Sequence, residues 1–573
     1  MNTHNNRFCT LAWFCALALA GCSDDPLTLD DPEFEEQGDS FESTGHPDEE
    51  APAIVCQPSQ RRCDDARTLG VCAATGLEWQ PAPCGAHQLC DDCVGDACEA
   101  ACVGPCEDLG SSPSSAGCSF YAMATDRTDT LLVTNPDTDR SATVELRAVA
   151  RGTHDEAASS NPVVLDPGES HTFILPATED VSELWVSPSR RQSGGIWHVV
   201  ADLPLVARLH HWGKDGSVGA ASLLLPEHMM TGDHVIYGYP PHPQAGDVAP
   251  NYFTVIALEH QTTVQWWPTA ATAGDGLPLP FVMPGARGQQ LLNRHDNIRV
   301  AASSKLAAAA CQQDLSGTVI AADGPIWVES TVERASVPGC PSDGCEDDGD
   351  AGEWCDSNTL DIMIEQNLPI QFWGTDYVGP HAPLHGDEIH RWRVFAGADD
   401  VTITVHPDQL GAPIQLAKRG DWREITVPAG DHLRFSGDGP FMPVQYVAGA
   451  VEADEFGAPA MVQMVPTSQY LDRYVFAVGQ ASEPAVAEIH YVQITRASTG
   501  ADVLLDGAVI GAGEWEAFGE WQIATLEVLA GTHVLDSVDP FGAVEYGYAA
   551  GDSNLRSGYA CPVGMRSRDL SKP

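Results

Sequence analysis

The sequence predicts an all-β chain: tandem repeats, sandwich-like or propeller-like, behind a disulfide-rich module and a disordered acidic tether. Three observations predict it. A first marker occurs three times. Leu225-Pro226 precedes His234-Val235, Leu368-Pro369 precedes Tyr377-Val378, and Val465-Pro466 precedes Tyr474-Val475, with a valine nine residues after each proline. A second marker recurs in step, as Ala201-Asp202-Leu203-Pro204, Ala322-Asp323-Gly324-Pro325, Gly437-Asp438-Gly439-Pro440 and Val538-Asp539-Pro540. A fixed period of this kind sets the architecture before any single element does. Finally, helical periodicity is scarce, while short β-prone runs such as Ile326-Trp327-Val328 and Val444-Gln445-Tyr446 are frequent.

The chain starts with an address. Arg7 gives a positive n-region, Phe8 to Ala20 an apolar core too short to span a bilayer. It ends Leu19-Ala20-Gly21-Cys22, which resembles the lipobox of bacterial lipoproteins. That resemblance implies cleavage after residue 21, a lipid anchor on Cys22, and attachment to a membrane through the lipid. Ser23 follows the cysteine, where aspartate would resemble an inner-membrane retention signal. The expected place is therefore the outer membrane, facing the cell surface. Residues 22–55 form the tether: from Ser23 to Val55 there are 12 acids and no Lys or Arg, and self-repulsion keeps such a segment extended.

Residues 56–117 form a cysteine-rich module, with cysteines at 56, 63, 72, 84, 90, 93, 98, 102 and 106, and Cys118 just beyond. In an exported chain this density reads as a disulfide framework for a segment too small for its own core. A zinc site opened by Cys90 and Cys93 with Cys98 and Cys102 is the weaker reading. Outside the signal, and without Cys22, 15 cysteines remain, an odd number that leaves one free or bonded to another chain.

Residues 118–573 divide into about four repeats: 118–222, 223–360, 361–459 and 460–573. The first gives a run Leu131 to Thr134, an Asn135-Pro136 turn, a run Ala142 to Leu146, and a turn at Asp166-Pro167-Gly168. Asp-Gly-Pro at 323–325 and 438–440 suits a tight connection between strands, since Asp can bond its own backbone and Pro fixes φ.

Here the residues carry a resemblance. Gly117-Cys118-Ser119-Phe120-Tyr121 with Val133-Thr134-Asn135-Pro136, and Ser222 to Pro226, are similar to the IgGFc-binding protein N-terminal domain family. So are Cys355-Asp356, Glu365-Gln366, Leu368-Pro369, Trp373-Gly374 and Tyr377-Val378. Ser357 stands where that family usually has histidine, and an insertion precedes Glu365-Gln366. The resemblance covers about residues 117 to 561. It implies a surface binding protein; it transfers neither antibody Fc as the ligand nor any binding residue.

Charge excludes one partner class. With Lys+Arg 29 against Asp+Glu 81, the net charge is −52, so nucleic acid finds no cationic footprint. Candidate chemistry is thin. Cys340, Cys345 and Cys355 bracket the acidic 346–353 loop. Its oxygen ligands could hold calcium, but it lacks EF-hand spacing and reads as a closed surface loop. His381, His385, Glu388 and His390 have zinc-type side chains, yet Pro383 and Gly386 break any helix that would align them. His210-His211-Trp212 reads as strand-end packing. Trp266-Trp267 and Trp392 read as core rather than stacking platforms for a sugar or peptide. There is no Gly-x-Ser-x-Gly elbow or phosphate loop. The expectation is a lipid-anchored surface protein that binds or adheres to a protein or matrix ligand, with no catalytic residue, no metal and no cofactor. The alternatives are a hydrolase of glycan or peptide, or a structural envelope protein.

Overall fold

The computed structural model describes residues 54–571 except 66–67, 85–87, 95–98, 107–108, 110–113, 125–128, 177–188, 213–217, 243–249, 275–278, 304–311, 338–360, 385, 387, 409–410, 450–456, 480–486 and 551–555. The signal and tether at 1–53, with Cys22, lie outside the described residues. Cys56–Pro573 is one compact unit.

The cysteine module holds β1 (Arg61–Asp65), β2 (Thr68–Cys72), β3 (Trp79–Pro83), β4 (Leu89–Val94) and β5 (Glu99–Val103). Disulfides Cys56–Cys72, Cys63–Cys90 and Cys84–Cys102 staple it, and Cys106–Cys118 ties it to the next strand. Cys90 and Cys102 are thereby taken, which removes the zinc reading. The thiol of Cys561 is free and fully buried.

Four units follow. The first is β6 (Gly117–Ala122), β7 (Asp129–Thr134), β8 (Ala142–Val149), β9 (Glu156–Ala158), β10 (Val163–Leu165), β11 (Ser170–Leu175), β12 (Arg190–Ser193), β13 (Ile196–Trp212) and β14 (Val218–Leu224). The second is β15 (Thr231–Val235), β16 (Asn251–Ala257), β17 (Thr262–Trp267), β18 (Gly288–Leu292), β19 (Asp296–Ala301), β20 (Val319–Ala335) and β21 (Asp361–Gln366). The third is β22 (Asp376–Gly379), β23 (His390–Ala396), β24 (Val401–His406), β25 (Ile414–Leu416), β26 (Trp422–Val427), β27 (Leu433–Gly437), β28 (Phe441–Val447) and β29 (Ala460–Gln463). The fourth is β30 (Leu471–Val478), β31 (Ala487–Ala497), β32 (Leu504–Leu505), β33 (Ala508–Val509), β34 (Trp515–Phe518), β35 (Trp521–Val528), β36 (Gly531–Ala550) and β37 (Arg556–Pro562).

All four share one antiparallel topology. One sheet runs β10-β8-β13-β6 in the first unit, β18-β17-β20-β15 in the second, β25-β24-β27-β22 in the third and β33-β32-β36-β30 in the fourth. The other runs β11-β7-β13-β14, β19-β16-β20-β21, β26-β23-β28-β29 and β35-β31-β36-β37. Each unit is thus a two-sheet sandwich; in the first, second and fourth the sheets share one long strand, and in the third β27 and β28 take its place. Alternation fills it: Thr262, Val264 and Trp266 of β17 face in, as do Val401, Ile403 and Val405 of β24.

The Asp-Pro markers, expected as tight turns, lie where that shared strand passes from one sheet to the other. In β13, β20 and β36 the strand runs straight through them with a register shift; only in the third unit does it break, between β27 and β28. In every unit the marker's aspartate accepts a backbone N–H from a neighbouring segment: Thr143 to Asp202 (2.6 Å), Thr263 to Asp323 (2.6 Å), Thr402 to Asp438 (2.7 Å) and Ala501 to Asp539 (2.9 Å). That bond satisfies a donor the bent ladder leaves open. The prolines of the first marker each open a 3-10 turn, Glu227–Met229, Ile370–Phe372 and Thr467–Gln469, which carries the chain into the next unit.

The last strands β14, β21, β29 and β37 pack against one another in turn, and β37 returns to β14, so the units close a ring. Met565 and Ser115 clasp the two ends through Ser115 N–H to Met565 O (2.7 Å) and Met565 N–H to Ser115 Oγ (3.0 Å).

Candidate functional site

The ring centre is polar and buried. Glu365 of β21 is fully buried and accepts from Ser222 Oγ (3.2 Å), Gln463 Nε2 (2.9 Å) and Gln463 N (3.3 Å). Burial pushes its carboxyl well above the ordinary range, although those bonds pull the other way. Gln366 Oε1 accepts Leu225 N–H (2.8 Å) and Gln463 Oε1 accepts Leu368 N–H (3.0 Å). The amide of one unit thus holds the connector of the unit before it. These groups bind the units to one another.

Each seam between units carries its own charged cluster. Between units two and three, Arg393 reaches Asp314 Oδ2 (2.8 Å) and Glu424 Oε2 (2.9 Å), with its guanidinium over the rings of Tyr239 and Trp422. Between units four and one, Arg208 pairs with Glu545 at 2.6 Å, and both are buried. The seam of units one and two holds Ser119, His198, Glu156 and Glu227. Ser119 Oγ lies 2.8 Å from His198 Nε2, and His198 Nδ1 lies 3.0 Å from Glu156 Oε1. Those are the spacings of a serine triad. The proton arrangement is not: the Ser119 hydroxyl donates to Glu227 Oε2 at 2.6 Å. With its proton given to Glu227, the serine has none to pass to His198. Glu156 is held well below the usual carboxylate range by His198 and His295, despite its burial. Glu156 also lies 3.1 Å from His295 Nε2 of unit two, so the cluster clasps the seam.

The histidine segment read from sequence divides. His381 and His390 lie edge to face, ring centroids 5.6 Å apart, with Glu388 Oε1 3.9 Å from His390 Nε2; His385 lies outside the described residues. The sequence reading missed His432 and Glu516, which arrive from 51 and 135 residues further on. His381, His432 and Glu516 bring ligand-type atoms within 4.8 Å of one another. They do not fit a metal as they stand. The imidazoles of His381 and His432 are stacked face to face, with centroids 4.4 Å apart and planes within 1° of parallel. A metal lies in the plane of each ring that ligates it, so two parallel rings cannot share one. His432 Nδ1 also accepts the His381 N–H (3.1 Å), which puts its proton on Nε2, 3.3 Å from Glu516. Burial first, then the neighbouring His381, lowers His432 to about 4.

Trp266 and Trp392 are fully buried core residues, and His210 and His211 are buried within β13, the latter 2.6 Å from Asp129. The 346–353 loop with Cys340, Cys345 and Cys355, and Cys311, lie outside the described residues.

Among the described residues, a groove of about 680 Å³ offers room for a ligand. It is lined by the connector turn at Ile370, Gln371 and Trp373, by Thr231 and Asp233 of β15, and by Leu570 from the C-terminal tail. Its volume is in the range of binding sites for small molecules and short segments.

The chain matches no curated protein. A family model described as IgGFc binding protein matches residues 220–547, from β14 through most of β36. More than half of the chain is covered, and the match takes in the second and third repeats entire: the chain belongs to the IgGFc-binding protein family.

Proposed function

We propose that this is a lipid-anchored protein of the cell surface whose four-unit ring binds a protein or an extracellular-matrix component. Family membership carries the reading, since the family is a binding family by its description. The groove among the connector turns supplies a concave surface for a partner, and its wall includes residues of units two and three. The Leu19-Ala20-Gly21-Cys22 motif and the 12-acid tether support attachment at Cys22 and display away from the membrane, with the outer membrane as its place. The stapled module between tether and ring acts as a stalk.

The test is a pull-down with the Cys22→Ala chain as bait against the producing cell's surface and matrix extract, immunoglobulin G included as a separate arm. The expected result is a saturable partner, and release of the variant from the membrane pellet. Continued pelleting of Cys22→Ala removes the anchor. Turnover of a glycan or peptide by the full chain, abolished by one carboxylate substitution, would replace binding with hydrolysis.

A further inference from the structure

The tail after β37 is held as an extended peptide. Arg566 N–H donates to Gln469 O (2.8 Å) and Leu570 N–H to Gln371 O (2.8 Å). Between them the side-chain amide of Gln469 brackets residue 568: its Oε1 accepts Arg568 N–H (3.2 Å) and its Nε2 donates to Arg568 O (2.6 Å). Residues 566, 568 and 570 alternate, as on one edge of a strand. All four bonds are made by the tail's backbone, so the seat reads chain shape rather than sequence. Gln469 is fully buried and stands in the fourth repeat's 3-10 turn, where the second and third repeats carry buried Met229 and Phe372. The apolar position has become a peptide-clasping amide only where the tail passes.

The seat is also underfilled. Leu570 is half-buried and forms one wall of the 680 Å³ groove, opposite Ile370 and Trp373. We infer that the seat of residues 566–571 is a binding site for an extended peptide segment of a partner, with a bulky aromatic side chain where Leu570 stands, and that the tail occupies it in cis. The inference rests on the binding reading and names the partner's chemistry. Backbone pairing gives affinity and the side-chain pocket gives preference, as in recognition by strand addition.

The probe is a fluorescent peptide of residues 566–573 carrying Leu570→Trp, added to the full chain. Expected are saturable binding by anisotropy and faster hydrogen exchange at the Arg568 and Leu570 amides as the tail is displaced. Leu570→Gly in the full chain weakens the tail's hold and raises probe affinity at least tenfold. Gln469→Ala lowers it at least tenfold, and Leu570→Gly keeps the test decisive if Gln469→Ala does not fold. No binding at about 1 mM probe, or affinity unmoved by Leu570→Gly, overturns the inference. A surface partner that is captured but not competed by the probe leaves the binding reading standing and removes this seat from it.

Discussion

Glu329 shows how much one buried carboxyl governs. It is almost fully buried in β20, its nearest donor is Thr331 Oγ1 at 3.4 Å, and burial raises it to about 7. The native state then keeps a proton that the unfolded chain releases at the ordinary glutamate value. Its stabilising term is full below that value and disappears as pH rises through about 7. The magnitude is about 3 kcal/mol between pH 4.5 and 7. Buried histidines work in the opposite direction: burial lowers His234 to about 4 and His210 to about 3, and each costs stability as pH falls from 6.5 toward those values. Glu329→Gln isolates the carboxyl, because the amide cannot ionise. Measured by thermal melting, the variant should gain on the wild type as pH rises from 5 to 8. A constant offset across that range would mean that Glu329 does not change ionisation.

At the scale of elements, a repeat is legible in sequence when it is made by single residues with fixed backbone demands. The prolines of the Leu-Pro and Asp-Pro markers are of that kind, and with the β-prone runs they carry the all-β class. They did not give the bend: Asp-Gly-Pro reads equally as a turn or as a strand crossing between sheets, and only the partner N–H of Thr263 or Thr402 decides. The seam clusters were hidden for a different reason. Glu156, His198 and His295 come from three segments, and His381 meets Glu516 only because β34 lies across the seam. Gly317 is another seam residue with no sequence signal. It has φ +84°, and an added Cβ would fall 2.2 Å from the carbonyl oxygen of Gly420, a backbone atom that cannot swing away. Gly317→Ala should therefore cost about 3 kcal/mol or more. Gly168, φ +74° with open space around its Cβ position, should lose only about 1–2 kcal/mol on the same change. Equal losses in denaturant melts would remove the close approach of units two and three.

For the whole molecule, the decisive feature is that the ring closes through a buried charge. Arg208 of β13 and Glu545 of β36 are 337 residues apart in sequence and 2.6 Å apart in space. Arg208 also donates to Ala477 O (3.1 Å) and Val563 O (3.3 Å), and Tyr559 donates to the other oxygen of Glu545 (2.7 Å). Two charges taken from water repay little net stability, but either one left alone in that interior is expensive. Arg208→Met should therefore destabilise by about 3–5 kcal/mol, because Glu545 is left buried without its partner. Glu545→Leu should cost a similar amount by stranding the guanidinium. The double variant Arg208→Met/Glu545→Leu should recover most of that loss, since the pair is replaced by apolar groups of similar volume. The double-mutant cycle in urea measures this directly. Simple additivity of the two losses would mean that the pair is solvated in solution and that units one and four part there. Recovery would mean that the fourth unit is sealed against the first in solution, with the Arg208–Glu545 pair shut off from water.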